Sequence, residues 1–224
     1  MKSIELHLHT MYANSCGKND AATIVSDYLN AGISAIAVTE HYSRKASWFK
    51  EQLPLGDDLH GFLRSYRLLK EEGARRGLKV YKGAEIGFDE YKNDFLVFGW
   101  PDELLADPEE VFSMGIRRFS EIARAQGAVI IQAHPFRKTT RSCVPAYPSF
   151  LDGIEVFNPG EPNRNELAQA FADEHPELFQ TQGSDYHTSR DTARACIGVE
   201  VLPEDEAALA KLLKERNFVL LDRH

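Results

Sequence analysis

The sequence holds 224 residues, enough for a domain that buries most of its surface without disulfides, and its 43% hydrophobic and 27% charged composition excludes a disordered or fibrous chain. With 34 acidic against 26 basic residues the formal net charge is −8, which argues against a nucleic-acid binder held by bulk attraction to phosphate. No apolar run is long enough to span a membrane, residues 1–5 carry no apolar signal core, and three scattered cysteines make no disulfide framework, so the expected setting is a reduced cytoplasm.

In chain order, residues 3–8 read as a strand, followed by a helix that Asp20 caps and Gly32 stops, with Ile24, Val25, Tyr28 and Leu29 on one face. A strand over 35–39 precedes a helix over 62–76 that ends at Gly77. Strands over 79–85 and 94–99 lead to a helix over 108–126, stopped at Gly127. Next come strands over 128–132 and 153–157, a helix over 163–174 ending before Pro176, and strands over 179–183 and 197–201. A helix over 204–216 and a strand near 218–221 complete the pattern. Runs such as Ala35-Ile36-Ala37-Val38 are apolar throughout, as parallel strands buried on both faces must be. Seven or eight strand–helix alternations predict an α/β fold closed into a barrel. No linker, low-complexity tract or internal repeat divides the chain, so one domain is expected over residues 1–224.

Polar residues gather where these strands end. His7 and His9 end the first, Glu40 and His41 the second, and Glu85 the third; His134 and the Asp185-Tyr186-His187 run follow two later strands. In a parallel barrel all C-terminal strand ends open on one face, so these residues would converge in one mouth. The spacing of His7 and His9 puts both side chains on one side of an extended segment, able to share an ion. Imidazole with carboxylate, and no cysteine cluster, suits zinc, manganese or iron(II). A single strand-end histidine is usually a structural or surface residue, but five of eight histidines with two acidic partners is hard to reach by accident. His60, His175 and His224 are given no role, and the pairs Arg75-Arg76 and Arg117-Arg118 read as solvated helix faces. There is no phosphate-cradling glycine loop, serine elbow or paired CxxC.

The ordered set HLH at 7–9, TEH at 39–41, GAE at 83–85, AHP at 133–135, IEVFN at 154–158 and GSDYH at 183–187 resembles the PHP (polymerase and histidinol phosphatase) family of metal-dependent phosphoesterases, across about residues 3–200. The resemblance implies a distorted seven-stranded (β/α) TIM-like barrel with two to three divalent metal ions at its C-terminal mouth. It also implies hydrolysis of phosphate esters by a metal-bound hydroxide. His7, His9, Glu85 and Asp185 would hold the first ion; Glu85 would bridge to a second on His134; His41 and His187 would hold the third. Catalysis would then depend on Glu85, Asp185 and His187 among these ligands.

Three departures from the family pattern stand out. The usual TDH is TEH here, with the histidine kept. The carboxylate or imidazole that often follows the HxH pair is missing from residues 11–17. Cys16 is either its thiolate substitute or, in the more ordinary reading, a small residue in the turn before Gly17. Where relatives often place a histidine beyond the bridging glutamate, Asp94 is either an oxygen ligand of the second ion or a strand-start residue.

The expected function is hydrolysis of a small phosphomonoester, such as a nucleotide or sugar phosphate. Only 48 residues (86–133) separate Glu85 from His134, leaving no obvious room for a domain that grips a polymer. Arg137 is expected to grip phosphate with its planar fork, against a bland reading as a surface loop charge beside Lys138 and Arg141. Asn158 and Tyr186 are weaker candidates to touch substrate. The alternatives are a phosphotyrosine phosphatase, a nuclease or an amidohydrolase at the same metals, or a non-catalytic metal-stabilised accessory module. Retention of all seven core ligands argues against the last.

Overall fold

The computed structural model describes residues 1–46, 49, 62–90, 92–138, 145–160 and 163–221; His60, Arg141, Cys143 and His224 lie outside that set. Ten strands form one sheet among the described residues: β1 (Lys2–Glu5), β2 (Ala35–Val38), β3 (His41–Tyr42), β4 (Lys79–Gly87), β5 (Asp94–Phe98), β6 (Val129–Gln132), β7 (Gly153–Phe157), β8 (Phe179–Gln182), β9 (Ile197–Val199) and β10 (Val219–Leu220). Five α-helices lying wholly among the described residues accompany them: α1 (Ala21–Asn30), α2 (Arg64–Arg76), α3 (Pro108–Ala125), α4 (Asn165–Glu174) and α5 (Glu206–Lys214).

Helix starts and stops follow local chemistry. Asp20, Asp107 and Asp205 each accept a backbone N–H of the first turn, which satisfies a donor that the helix itself leaves orphaned. Gly77 ends α2 in the left-handed region at φ 87°. The Arg75 and Arg117 side chains are largely exposed, as expected of solvated faces. No helix among the described residues is long and apolar enough to cross a membrane.

The sheet runs β10-β9-β1-β2-β4-β5-β6-β7-β8, with β3 paired to β4. Beyond its pairing with β9, the β1 segment continues into a parallel bridge between Leu8 and Tyr186, just past β8. The circuit β1-β2-β4-β5-β6-β7-β8 and back is the seven-stranded, nearly closed barrel that the sequence leads one to expect. It is not parallel throughout. Strand β5 runs antiparallel to both β4 and β6, and β9 antiparallel to β1. The reversal of β5 has a simple cause: only residues 88–93 join it to β4, too few for the crossover that a parallel pair needs.

That reversal decides what reaches the mouth. Asp94, the first residue of β5, lies opposite Gly87 at the end of β4, so a strand start here sits at the same end as the other strands' finishes. Gly99, just past the far end of β5, has φ 71°, and a Cβ there would meet the Cβ of Ala210 at 2.5 Å. Helix α5 therefore packs at the end opposite the mouth, adding Leu209, Ala210 and Leu213 to a buried cluster with Ile4, Leu6, Ala37, Tyr81, Phe98 and Ile131. Alternation along β4 puts Tyr81 in that cluster and Ala84 and Ile86 in another, shared with Phe112, Ile116 and Phe119 of α3.

Candidate metal centre

Backbone pairing assembles the site before any side chain acts. His9 N donates to Tyr186 O at 2.9 Å and Tyr186 N donates to His7 O at 3.1 Å, which locks the HLH segment against the Asp185–His187 segment. His41 lies opposite Glu85 in the β3–β4 pair. His134 follows β6 by two residues at φ 25°, with Phe136 at 62° and Asp185 at 51°. Non-glycine residues avoid that region, so three of them held in it here mark backbone that the surrounding structure forces.

Glu85 is the hub. Its Oε2 is 2.5 Å from His41 Nδ1 and 3.4 Å from His9 Nε2; its Oε1 is 2.8 Å from His134 Nε2 and 3.5 Å from His7 Nε2. Asp185 Oδ1 is 3.3 Å from both His7 Nε2 and His9 Nε2, and its other oxygen is bonded by Arg137. The His9 ring stacks against those of His41 and His187, with centroids 4.4 and 4.6 Å away. Potential ligand atoms fall into overlapping groups, each with members within 4.8 Å of one another: His7, His9 and Glu85; His7, His134 and Asp185; Glu85, Asp94 and His134; and His9, Cys16, His41 and His187.

These residues fit a metal centre. His7 and His9 are fully buried, yet Nε2 of each and Nδ1 of His9 have no hydrogen-bond partner. Buried polar atoms are rarely left so, because an unmade hydrogen bond costs about 1–3 kcal/mol. An ion would satisfy them together. Burial opposes charge on Glu85, but His41 and His7 hold its carboxyl well below the usual range. Burial likewise opposes charge on Asp185, and His7, His9, His134 and Arg137 outweigh it. Burial and the neighbouring His41 push His9 down to about 3, so its ring is neutral and its lone pair free for a cation. The carboxylates in turn raise His7 and His41, so a divalent ion entering the cup would take the place of the protons those rings hold and meet two anionic carboxylates among imidazole donors.

Around the cup stand three carboxylates to which the sequence analysis gives no role. Glu155 accepts from His7 Nδ1 at 3.0 Å, from His134 N at 2.7 Å and from Asn158 Nδ2 at 3.0 Å. A carboxylate only accepts, so the proton sits on Nδ1 and His7 turns Nε2 toward the cup. Glu5 accepts from His7 N at 3.0 Å and Ser184 N at 2.9 Å, tying the ends of β1 and β8 together. Glu40, the departure from TDH, binds Thr10 through its backbone N–H at 2.9 Å and its hydroxyl, and its Oε2 is 3.9 Å from His9 Nδ1. Burial pushes both Glu5 and Glu40 up to about 7. Their signal was in the sequence: Glu5, His7 and His9 alternate with apolar residues, and Glu155 interrupts an otherwise apolar strand.

The remaining sequence candidates separate. Asp94 comes into the Glu85–His134 group, so strand start and ligand are compatible readings at this position. Cys16 joins His41 and His187 and also sits in a bend before Gly17. Arg137 Nε donates to Asn163 Oδ1 at 2.8 Å, beside its bond to Asp185. Asn158 is buried with both ends engaged, its Oδ1 accepting from Gly160 N at 3.0 Å and Asn163 Nδ2 at 2.7 Å. It braces Asn163, and through it Arg137. Tyr186 is wholly buried and donates its hydroxyl to Asp27 at 2.8 Å, which makes it a packing residue, not the substrate contact expected from sequence.

The family model of the PHP domain matches residues 5–201, a span that contains every one of these groups. The chain belongs to the PHP domain family. No curated protein matches it significantly. Among solved structures, it is similar to a two-domain protein of Bacteroides vulgatus containing a predicted PHP-like metal-dependent phosphoesterase, at 18% identity and TM-score 0.71, covering 99% of this chain and 65% of that one. It also resembles a candidate metal-dependent phosphoesterase of Bifidobacterium adolescentis, at 15% identity and TM-score 0.60, covering 95% and 96% of the two chains. An amidohydrolase of Chromobacterium violaceum with bound sulfate and no metal shares 14% identity at TM-score 0.59, over 97% of each chain. At such identities the likeness is one of fold.

Proposed function

We propose that this PHP chain is a metal-dependent phosphoesterase that hydrolyses a small phosphomonoester at the barrel mouth. The observation that carries the reading is Glu85, a buried carboxylate set among four imidazoles and common to two donor groups. His7, His9, Glu85 and Asp185 would hold one ion, Glu85, His134 and Asp94 a second, and His41 with His187 a third. Such ions, zinc, manganese or iron(II), lower the pKa of a bound water toward about 7 and polarise phosphoryl oxygens.

The chain's own residues supply the rest. Glu85 offsets the repulsion between neighbouring cations, and the Glu155 carboxylate fixes the orientation of His7. Arg137, anchored by Asp185 and Asn163, places a planar guanidinium at the rim of the cup, where it can bind an anionic phosphate. Metal-stripped protein reloaded with zinc, manganese or iron(II) should hydrolyse small phosphomonoesters such as nucleotide or sugar phosphates in preference to phosphodiesters, phosphotyrosine peptides and amides. A fully loaded protein inert toward every phosphomonoester offered would defeat this reading.

Replacing Arg137 by alanine is expected to raise KM for phosphomonoesters about 10-fold or more, since a charge-assisted hydrogen bond is worth about 1.5–3 kcal/mol. Metal content should stay unchanged and kcat should fall less than KM rises. Arg137→Lys should recover part of the loss, keeping the charge without the fork. Steady-state kinetics beside elemental analysis decides it: an unaltered KM would leave Arg137 as a partner of Asp185 only.

A further inference from the structure

We propose that the Cys16 thiolate is a metal ligand, so that the third position, with His41 and His187, is a sulfur–nitrogen site selective for a soft divalent ion of zinc type. This deepens the metal-centre reading and rests on it. The thiol does not stand alone: its Sγ lies within 4.8 Å of ligand nitrogens of His9, His41 and His187, which also lie that close to one another. Two ligands bound to a single ion at about 2.0–2.3 Å each can be no further apart than about 4.5 Å, so a group held within 4.8 Å would close on an ion by small side-chain movements. A second observation points the same way. His9 is fully buried, its ring stacks against those of both His41 and His187, and neither of its ring nitrogens has a hydrogen-bond partner.

The loop carrying Cys16 is built to hold it there. Met11 N donates to Asn19 O at 3.1 Å and closes the loop; Lys18 N donates to His187 O at 2.9 Å and pins it to the strand-end histidine. Gly17 lies so close to Thr10 that a Cβ would fall 2.3 Å from the Thr10 carbonyl oxygen. Only glycine permits that approach, and the approach brings its neighbour Cys16 up to the imidazoles.

The donors make this position chemically unlike its neighbours. His41 and His187 are neutral ligands and offset none of a dication's charge, whereas a thiolate supplies one negative charge and a soft donor. The Glu85, Asp94 and His134 group offers two carboxylates and one imidazole, a harder set suited to manganese or iron(II) as well as zinc. One histidine–carboxylate centre would thus sort two kinds of ion.

Cobalt(II) reports on this without any assay of activity. The full chain, stripped of metal and titrated with cobalt(II), should show visible d–d absorption together with a near-ultraviolet thiolate-to-cobalt charge-transfer band. Cys16→Ser should lose that band, and its most weakly held ion should bind weaker by at least the roughly 10–100-fold that loss of an outer-shell partner costs. Cys16→Asp, which restores an oxygen ligand, should recover the ion without the band and lose the preference for zinc over manganese. Zinc should protect Cys16 from iodoacetamide in the wild type, followed by peptide mass spectrometry. Bound cobalt with no charge-transfer band, and zinc without protection, would overturn the ligand role of Cys16 while leaving the metal centre standing. Failure to bind cobalt or zinc at all would overturn the metal-centre reading, and Cys16 with it.

Discussion

Glu85→Ala should strip the protein of the two ions that share this carboxylate, and lower kcat/KM by about 10³-fold or more. The reasoning runs from geometry. Glu85 takes part in two donor groups, with His7 and His9 on one side and Asp94 and His134 on the other. Its removal takes a ligand from each ion and also the negative charge that lets two cations sit side by side. Lewis-acid stabilisation of several kcal/mol goes with the ions, and each 1.36 kcal/mol is a factor of ten. His41→Ala offers the contrast, since His41 shares its donor group with Cys16 and His187, at the third position. It should cost that ion and spare the pair. Elemental analysis of protein purified without chelator, with hydrolysis of a simple phosphomonoester alongside, separates the two. Equal metal content in Glu85→Ala and wild type would refute the bridging role.

How much of this centre was legible beforehand depends on the kind of residue. His7, His9, His41, His134 and Asp185 stand at the ends of apolar runs, where a polar side chain is conspicuous and the barrel topology says that such ends converge. Strand direction was not legible, because alternation says which face a residue occupies and nothing about which way its strand runs. The short 88–93 connection was the clue to the reversed β5, and with it the arrival of Asp94 at the mouth. Cys16 was ambiguous for another reason: it sits on an irregular loop, where periodicity is silent and position depends on contacts such as Lys18 with His187. Tyr186 misled because it lies between two mouth residues, yet its alternation turns it into the core beside Tyr28. Helix limits came close because capping residues such as Asp20 and Gly77 state them chemically.

The other large effect belongs to a residue that touches no ion. Glu155→Ala should destabilise the metal-free protein by several kcal/mol and weaken metal binding by about 10–100-fold. Glu155 is 1% exposed and accepts from three donors: His7 Nδ1, His134 N and Asn158 Nδ2. Alanine would leave all three buried and unsatisfied, at about 1–3 kcal/mol each before relaxation. It would also free the His7 ring to rotate and the His134 backbone to leave its forced φ of 25°. Two ligand residues would thus lose their aim by one substitution. Glu155→Gln separates the two consequences: the amide fills the same space and keeps one accepting oxygen, but its NH2 must face a donor. Stability should recover in large part while metal affinity does not, because a neutral amide cannot make His7 as strong a ligand as a carboxylate does. Thermal unfolding of the stripped proteins, with zinc competition against a chelator, reads the two quantities independently. If Glu155→Gln bound zinc like the wild type, the carboxylate would be serving the fold alone, and the aim of His7 would have to come from its packing against His9 and His134.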